Sequence, residues 1–182
     1  MTDTRVALIR GINVGRAKRV AMAELRALVE GLGYGDVRTL LNSGNVVFTV
    51  PPKSKGEAGA RIEEAMTEKL GVSARITVLT AAELATVVAE NSLLEAADNP
   101  SRLLVNVFIK PEDRARIEPL AAQDWAPDAL AVGSRAAYLW CAGGILESKL
   151  VLAANRALGD GATARNWATI TKLQSLVEAT PV

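Results

Sequence analysis

Histidine is absent from all 182 residues of the chain. Without it, neither a Ser–His nor a Cys–His nucleophile pair can be assembled. A single cysteine, Cys141, leaves no partner for an internal disulfide and no basis for a multi-cysteine zinc site. Cys141 lies in the apolar stretch AAYLWCA, where a small buried thiol is expected. There is no DxD element and no clustered acidic loop, so neither a metal nor another cofactor is expected. Any catalysis would fall to Asp, Glu, Lys, Ser or Tyr, with a strongly shifted pKa, and no spacing singles out such a group.

Other scarcities narrow the class further. No apolar run approaches the ~20 residues of a membrane span. The N-terminal run VALIRG has no cleavage site and reads as a first strand, which points to a cytoplasmic protein. Basic residues exceed acidic ones by one charge, too little for the broad positive field of a non-specific nucleic-acid binder. A local cluster remains at Arg10, Arg16, Lys18 and Arg19, with the spacing of a solvated loop.

What is present is a repeated order of elements. VALIRG (6–11) fits a strand, and 22–33 carries Met22, Leu25, Leu28, Val29 and Leu32 at helical spacing. DVRTLL and NVVFTV are strands joined by the turn NSGN. After the Pro/Gly-rich loop 51–60 come a helix near 61–71 and a strand at 74–80. Thr80 and Glu83 form a capping-box pattern that opens a connecting helix over 81–91. The order then recurs: a strand at 102–110, a helix from Pro111 over 111–121, a strand pair around Gly133, a helix at 146–159 and a short strand at 162–165. Asn166 is placed to cap a terminal helix. The expected fold is α+β: two tandem ferredoxin-like (β-α-β-β-α-β) halves packed as one compact unit, with an extra C-terminal helix. The halves are 1–80 and 102–182, joined by 81–101.

This topology places the ends of the first two strands on one sheet edge, so Arg10, Asn13, Asn42, Ser43 and Asn45 should converge. In the second half it should bring Gly143, Gly144, Ser148 and Lys149 near Arg165, Asn166 and Trp167. GGILESKL has the first glycine and the lysine of a phosphate-binding loop but lacks its second glycine and final hydroxyl, so a P-loop is rejected. Glycine, amide and cation together suit an anionic or nucleotide-like small molecule, the leading expectation for a partner. The alternative is RNA or single-stranded nucleic acid stacked on an open sheet face by Phe108, Tyr138 and Trp140. Burial of that face against the other half of the chain is the favoured of the two readings. An acid/base enzyme without histidine is the third reading.

RGINVG, MAELRALVEGLG, RTLLNSGNVVF, YLWCAGG with SKL, and TARNWATITKL, in this order, resemble a bacterial family of unknown function, number sixteen ninety-seven. The resemblance spans nearly the whole chain. It implies two ferredoxin-like halves and brings no assigned activity. Its pattern carries onto Arg10, Asn13, the turn 42–45, Tyr138, Ser148, Lys149, Arg165, Asn166 and Trp167. Arg16, Leu40, Ala142 and Ala168 depart from it.

Overall fold

The computed structural model describes residues 3–179. The fold is α+β, with two four-stranded antiparallel sheets and, among the described residues, six α-helices. The chain divides into two compact units: residues up to Leu84 together with those from Leu173 on, and Ala85–Lys172.

In the first unit β1 (Asp3–Ile9), β2 (Gly35–Leu40), β3 (Asn45–Val50) and β4 (Ile76–Thr80) pair in the order β2-β3-β1-β4. Strand β1 alternates: Ala7 and Ile9 join the core beneath α1 (Met22–Gly31) and α2 (Ala58–Leu70), while Val6 and Leu8 are buried on the other face. Helix α1 contributes Leu25, Leu28 and Val29, spaced to form one stripe. Helix α2 ends at Gly71, whose left-handed φ of 64° lets its N–H reach Thr67 O and that of Val72 reach Met66 O. The capping box at Thr80 forms with both bonds in place. Thr80 N–H donates to Glu83 Oε2 at 2.9 Å and Glu83 N–H donates to Thr80 Oγ1 at 3.1 Å. Helix α3 (Ala81–Ala89) starts there.

In the second unit β5 (Leu103–Phe108), β6 (Ala129–Val132), β7 (Ala136–Trp140) and β8 (Ala162–Asn166) pair in the order β6-β7-β5-β8. The continuous helix expected over 111–121 is not there. Instead the four-residue α4 (Arg114–Ile117) sits between two 3-10 turns. Pro119 explains the break, because it cannot donate to the carbonyl one turn back and its ring crowds that turn. Helix α5 (Lys149–Leu158) and helix α6 (Trp167–Glu178) follow. No helix among the described residues is long and apolar enough to cross a membrane.

Strand β5 corrects the aromatic-plate expectation. All six of its residues are buried. Leu104 and Phe108 pack with Leu139 and with Leu150, Ala154 and Leu158 of α5. Tyr138 pairs with Val105 and Trp140 with Leu103, so both rings belong to the opposite face. Phe108 therefore shares no face with Tyr138 and Trp140, and all three are buried. The Tyr138 hydroxyl donates to Val87 O at 2.6 Å, and burial, then the nearby Glu90 carboxylate, raises its pKa.

Between Leu104 and Phe108 lies Asn106, 3% exposed, whose Nδ2 finds no hydrogen-bond partner among the described residues. A buried donor without a partner costs about 1–3 kcal/mol. The near-isosteric Asn106→Leu should therefore stabilise the protein by roughly 1–2 kcal/mol. Urea unfolding would read this as a higher midpoint at unchanged m; a lower midpoint would show that the amide is needed.

Candidate functional site

The NSGN turn and the loop after β1 meet, and their asparagines do the joining. Asn13 Nδ2 donates to Asn42 O at 2.7 Å and to Val20 O at 2.8 Å, while its Oδ1 accepts from Val20 N–H. Asn13 itself has φ of 55°, a left-handed value asparagine tolerates better than most residues. Asn45 is fully buried, and its Nδ2 donates to Leu40 O at 2.7 Å and Ser43 Oγ at 2.9 Å. The amides of Asn13 and Asn45 thus hold the backbone of two loops in register. Asn13 and Asn42 also line a shallow groove with Arg19 and Glu24.

Arg10 opens onto a different cavity. Because β1 and β4 are antiparallel with Ile9 opposite Ile76, the end of β1 lies beside the start of β4. Arg10 N–H donates to Arg75 O at 2.8 Å across that junction. A polar cavity of about 440 Å³ results, lined by Arg10, Gly11, Lys18, Glu63, Ser73, Ala74 and Arg75. Glu63 reaches over from α2, where its Oε1 accepts the Ile76 N–H at 2.8 Å. Lys18 enters through the loop closed by Asn13, whose N–H donates to Lys18 O at 3.1 Å. The lining carries three cationic side chains and one carboxylate.

In the second unit the strand ends reach a common edge, as Trp140 opposite Leu103 and Asn166 opposite Leu104 demonstrate. The side chains diverge from there. Ser148 caps α5 through Val151 N–H at 3.1 Å and donates to Asp128 Oδ2 at 2.7 Å. Asp128 Oδ1 accepts from Ala142 N–H, so this carboxylate ties down the 142–148 loop. Ser148, Lys149, Gly143 and Gly144 line a second cavity of about 440 Å³ with Asp124, Trp125, Pro127 and Glu147.

Arg165 points the other way. It pairs with Val105, on the face opposite Leu104 and Phe108, where α5 packs. The guanidinium is buried, which brings its pKa down to about 10, and its Nη1 donates to Ala164 O at 2.8 Å. Asn166 Oδ1 accepts from Thr169 N–H at 2.9 Å and so caps α6, whose first residue, Trp167, is buried. Arg165 and the Ser148–Lys149 pair therefore do not share a site.

Ser73 and Arg75 were not read from the sequence as site residues. Their signal was the β1–β4 pairing: the topology that joins two strand ends also sets the start of the fourth strand beside Arg10. Cys141 is buried, and burial pushes its thiol pKa up. No group of three or more His, Cys, Asp or Glu among the described residues is arranged to hold a metal ion.

The chain is similar in structure to SP0830, a conserved bacterial protein from Streptococcus pneumoniae, with a TM-score of 0.73 and 20% sequence identity. The similarity covers 97% of this chain and 99% of that one, and at such identity it speaks for the fold alone. No curated protein matches the chain. A family model described as a protein of unknown function, DUF1697, matches residues 1–138, from the N-terminus to Tyr138 in β7. The chain belongs to the DUF1697 family.

Proposed function

We propose that the protein binds a small anionic or nucleotide-like molecule in the cavity where the end of β1 meets the start of β4. One observation carries this reading: Arg10, Lys18 and Arg75 converge on one polar cavity that holds a single carboxylate, Glu63. Glu63 already accepts a strand N–H, which fixes it at the wall. Guanidinium groups present a planar fork that matches phosphate and carboxylate oxygens in pairs. The Ser73 hydroxyl adds a neutral donor, and Asn13 has a positioning role, holding the loop that carries Lys18. A volume of about 440 Å³ is within the usual range for small-molecule sites. The equivalent strand orders of the two sheets, β2-β3-β1-β4 and β6-β7-β5-β8, support a ferredoxin-like reading of each unit.

Thermal shift against pyrophosphate, ATP and a dicarboxylate tests the binding. Ligand at a hundred times its Kd should add about 2.7 kcal/mol, a rise of roughly 5–11 °C for a chain of this size. Arg10→Ala and Arg75→Ala should each abolish most of that rise, and added salt should shrink it. No rise with any anion, or one untouched by both substitutions, would remove the site.

A further inference from the structure

The cavity of the second unit has the opposite character. Its lining holds three carboxylates, those of Asp124, Asp128 and Glu147, against one ammonium, that of Lys149. The N-terminus of α5 adds roughly half a positive charge, which still leaves the lining acidic. The three acids differ in what they already do. Both oxygens of Asp128 are committed to the loop, at Ala142 N–H and the Ser148 hydroxyl. Asp124 Oδ1 accepts from Ala126 N–H, and its second oxygen has no partner among the described residues. Glu147 makes no hydrogen bond or ion pair among the described residues.

Trp125 supplies an aromatic wall. Its Nε1 donates to Leu120 O at 2.8 Å, which fixes the ring against the core while leaving it half-buried at the cavity. Leu146, next to Glu147 in the chain, stands 98% exposed. The carboxylates are not grouped to coordinate a metal ion. An indole that lines the same cavity as acceptor oxygens instead suits a flat cation, which can stack on the ring and donate paired N–H groups to carboxylate.

We propose that this cavity is a second ligand site, for a small planar organic cation of the amidine or guanidine class. The cation lies against Trp125 and donates to Glu147 and Asp124. The site is separate from the anion cavity of the first unit and does not depend on it.

Benzamidine is the probe, with its neutral isostere benzamide and its anionic counterpart benzoate as comparisons. Trp140 and Trp167 are each 8% exposed, so Trp125 dominates the solvent-sensitive part of the intrinsic fluorescence. Benzamidine should change that emission saturably, with a matching heat in calorimetry, and benzamide should bind about 10-fold more weakly or less. Glu147→Gln should weaken benzamidine by about 10-fold. Glu147 is an exposed side chain, so the fold is retained. Equal binding of benzamide, tighter binding of benzoate, indifference to Glu147→Gln, or no saturable signal in fluorescence and heat would each overturn the proposal.

Discussion

Replacing Gly44 by alanine is expected to destabilise the protein by roughly 3 kcal/mol, from backbone strain and steric overlap together. Gly44 holds φ of 85°, a left-handed value that costs a side-chain-bearing residue conformational energy. A Cβ at this position would also sit 2.7 Å from Ile12 Cδ1 and 3.0 Å from Ile9 Cβ. Ile9 and Ile12 are both buried, so neither can step aside without disturbing the core. Backbone pairing is at stake as well, because Ile9 N–H donates to Gly44 O at 2.9 Å. The thermal midpoint should fall by about 6–12 °C. A loss under about 1 kcal/mol would mean that the turn relaxes freely and that Ile12 does not fasten the β1 loop to it.

The second large effect is expected at Phe108. Phe108→Ala should cost about 3–5 kcal/mol, the range for deleting a buried aromatic ring from a packed core. The ring is fully buried among Leu104, Leu139 and the inner face of α5. An exposed stacking platform would make the opposite prediction: truncation nearly neutral in stability and harmful only to nucleic-acid binding. Urea unfolding of this one variant separates the two pictures.

Much of the fold was legible because local signals agreed with the global order. Thr80 with Glu83 and Asn166 before Trp167 announced helix starts that the structure forms with the expected bonds. NSGN announced a hairpin between two apolar runs, and the meeting of Asn13 with Asn42 is what the strand topology leads one to expect. Three features escaped. Strand β5 is buried on both faces, so its alternation holds no inside–outside contrast, and the side of Phe108 could not be read from it. The stretch 111–121 reads as a helix opened by Pro111, yet Pro119 interrupts it after one turn. At the candidate site, Arg10 was visible as a loop cation, but Arg75 becomes its neighbour only through the antiparallel pairing of β1 with β4.

The asparagines of NSGN carry a related lesson. Amides flanking a glycine turn were candidates for ligand contacts. In the structure Asn45 bonds Leu40 O and Ser43 Oγ, and Asn13 reaches Asn42 O. The Asn13 backbone N–H in turn holds the Lys18 carbonyl. Cations, rather than amides, give the cavity its chemistry.

Amide chemical-shift mapping of the isotopically labelled protein during a pyrophosphate titration tests the central claim most directly. Binding at the cavity should move the N–H signals of Gly11, Lys18, Ser73 and Arg75 together along one saturation curve, and Arg75→Ala should flatten it. Shifts confined to the second unit, or none above those of a matched chloride titration, would contradict an anion site at the β1–β4 junction.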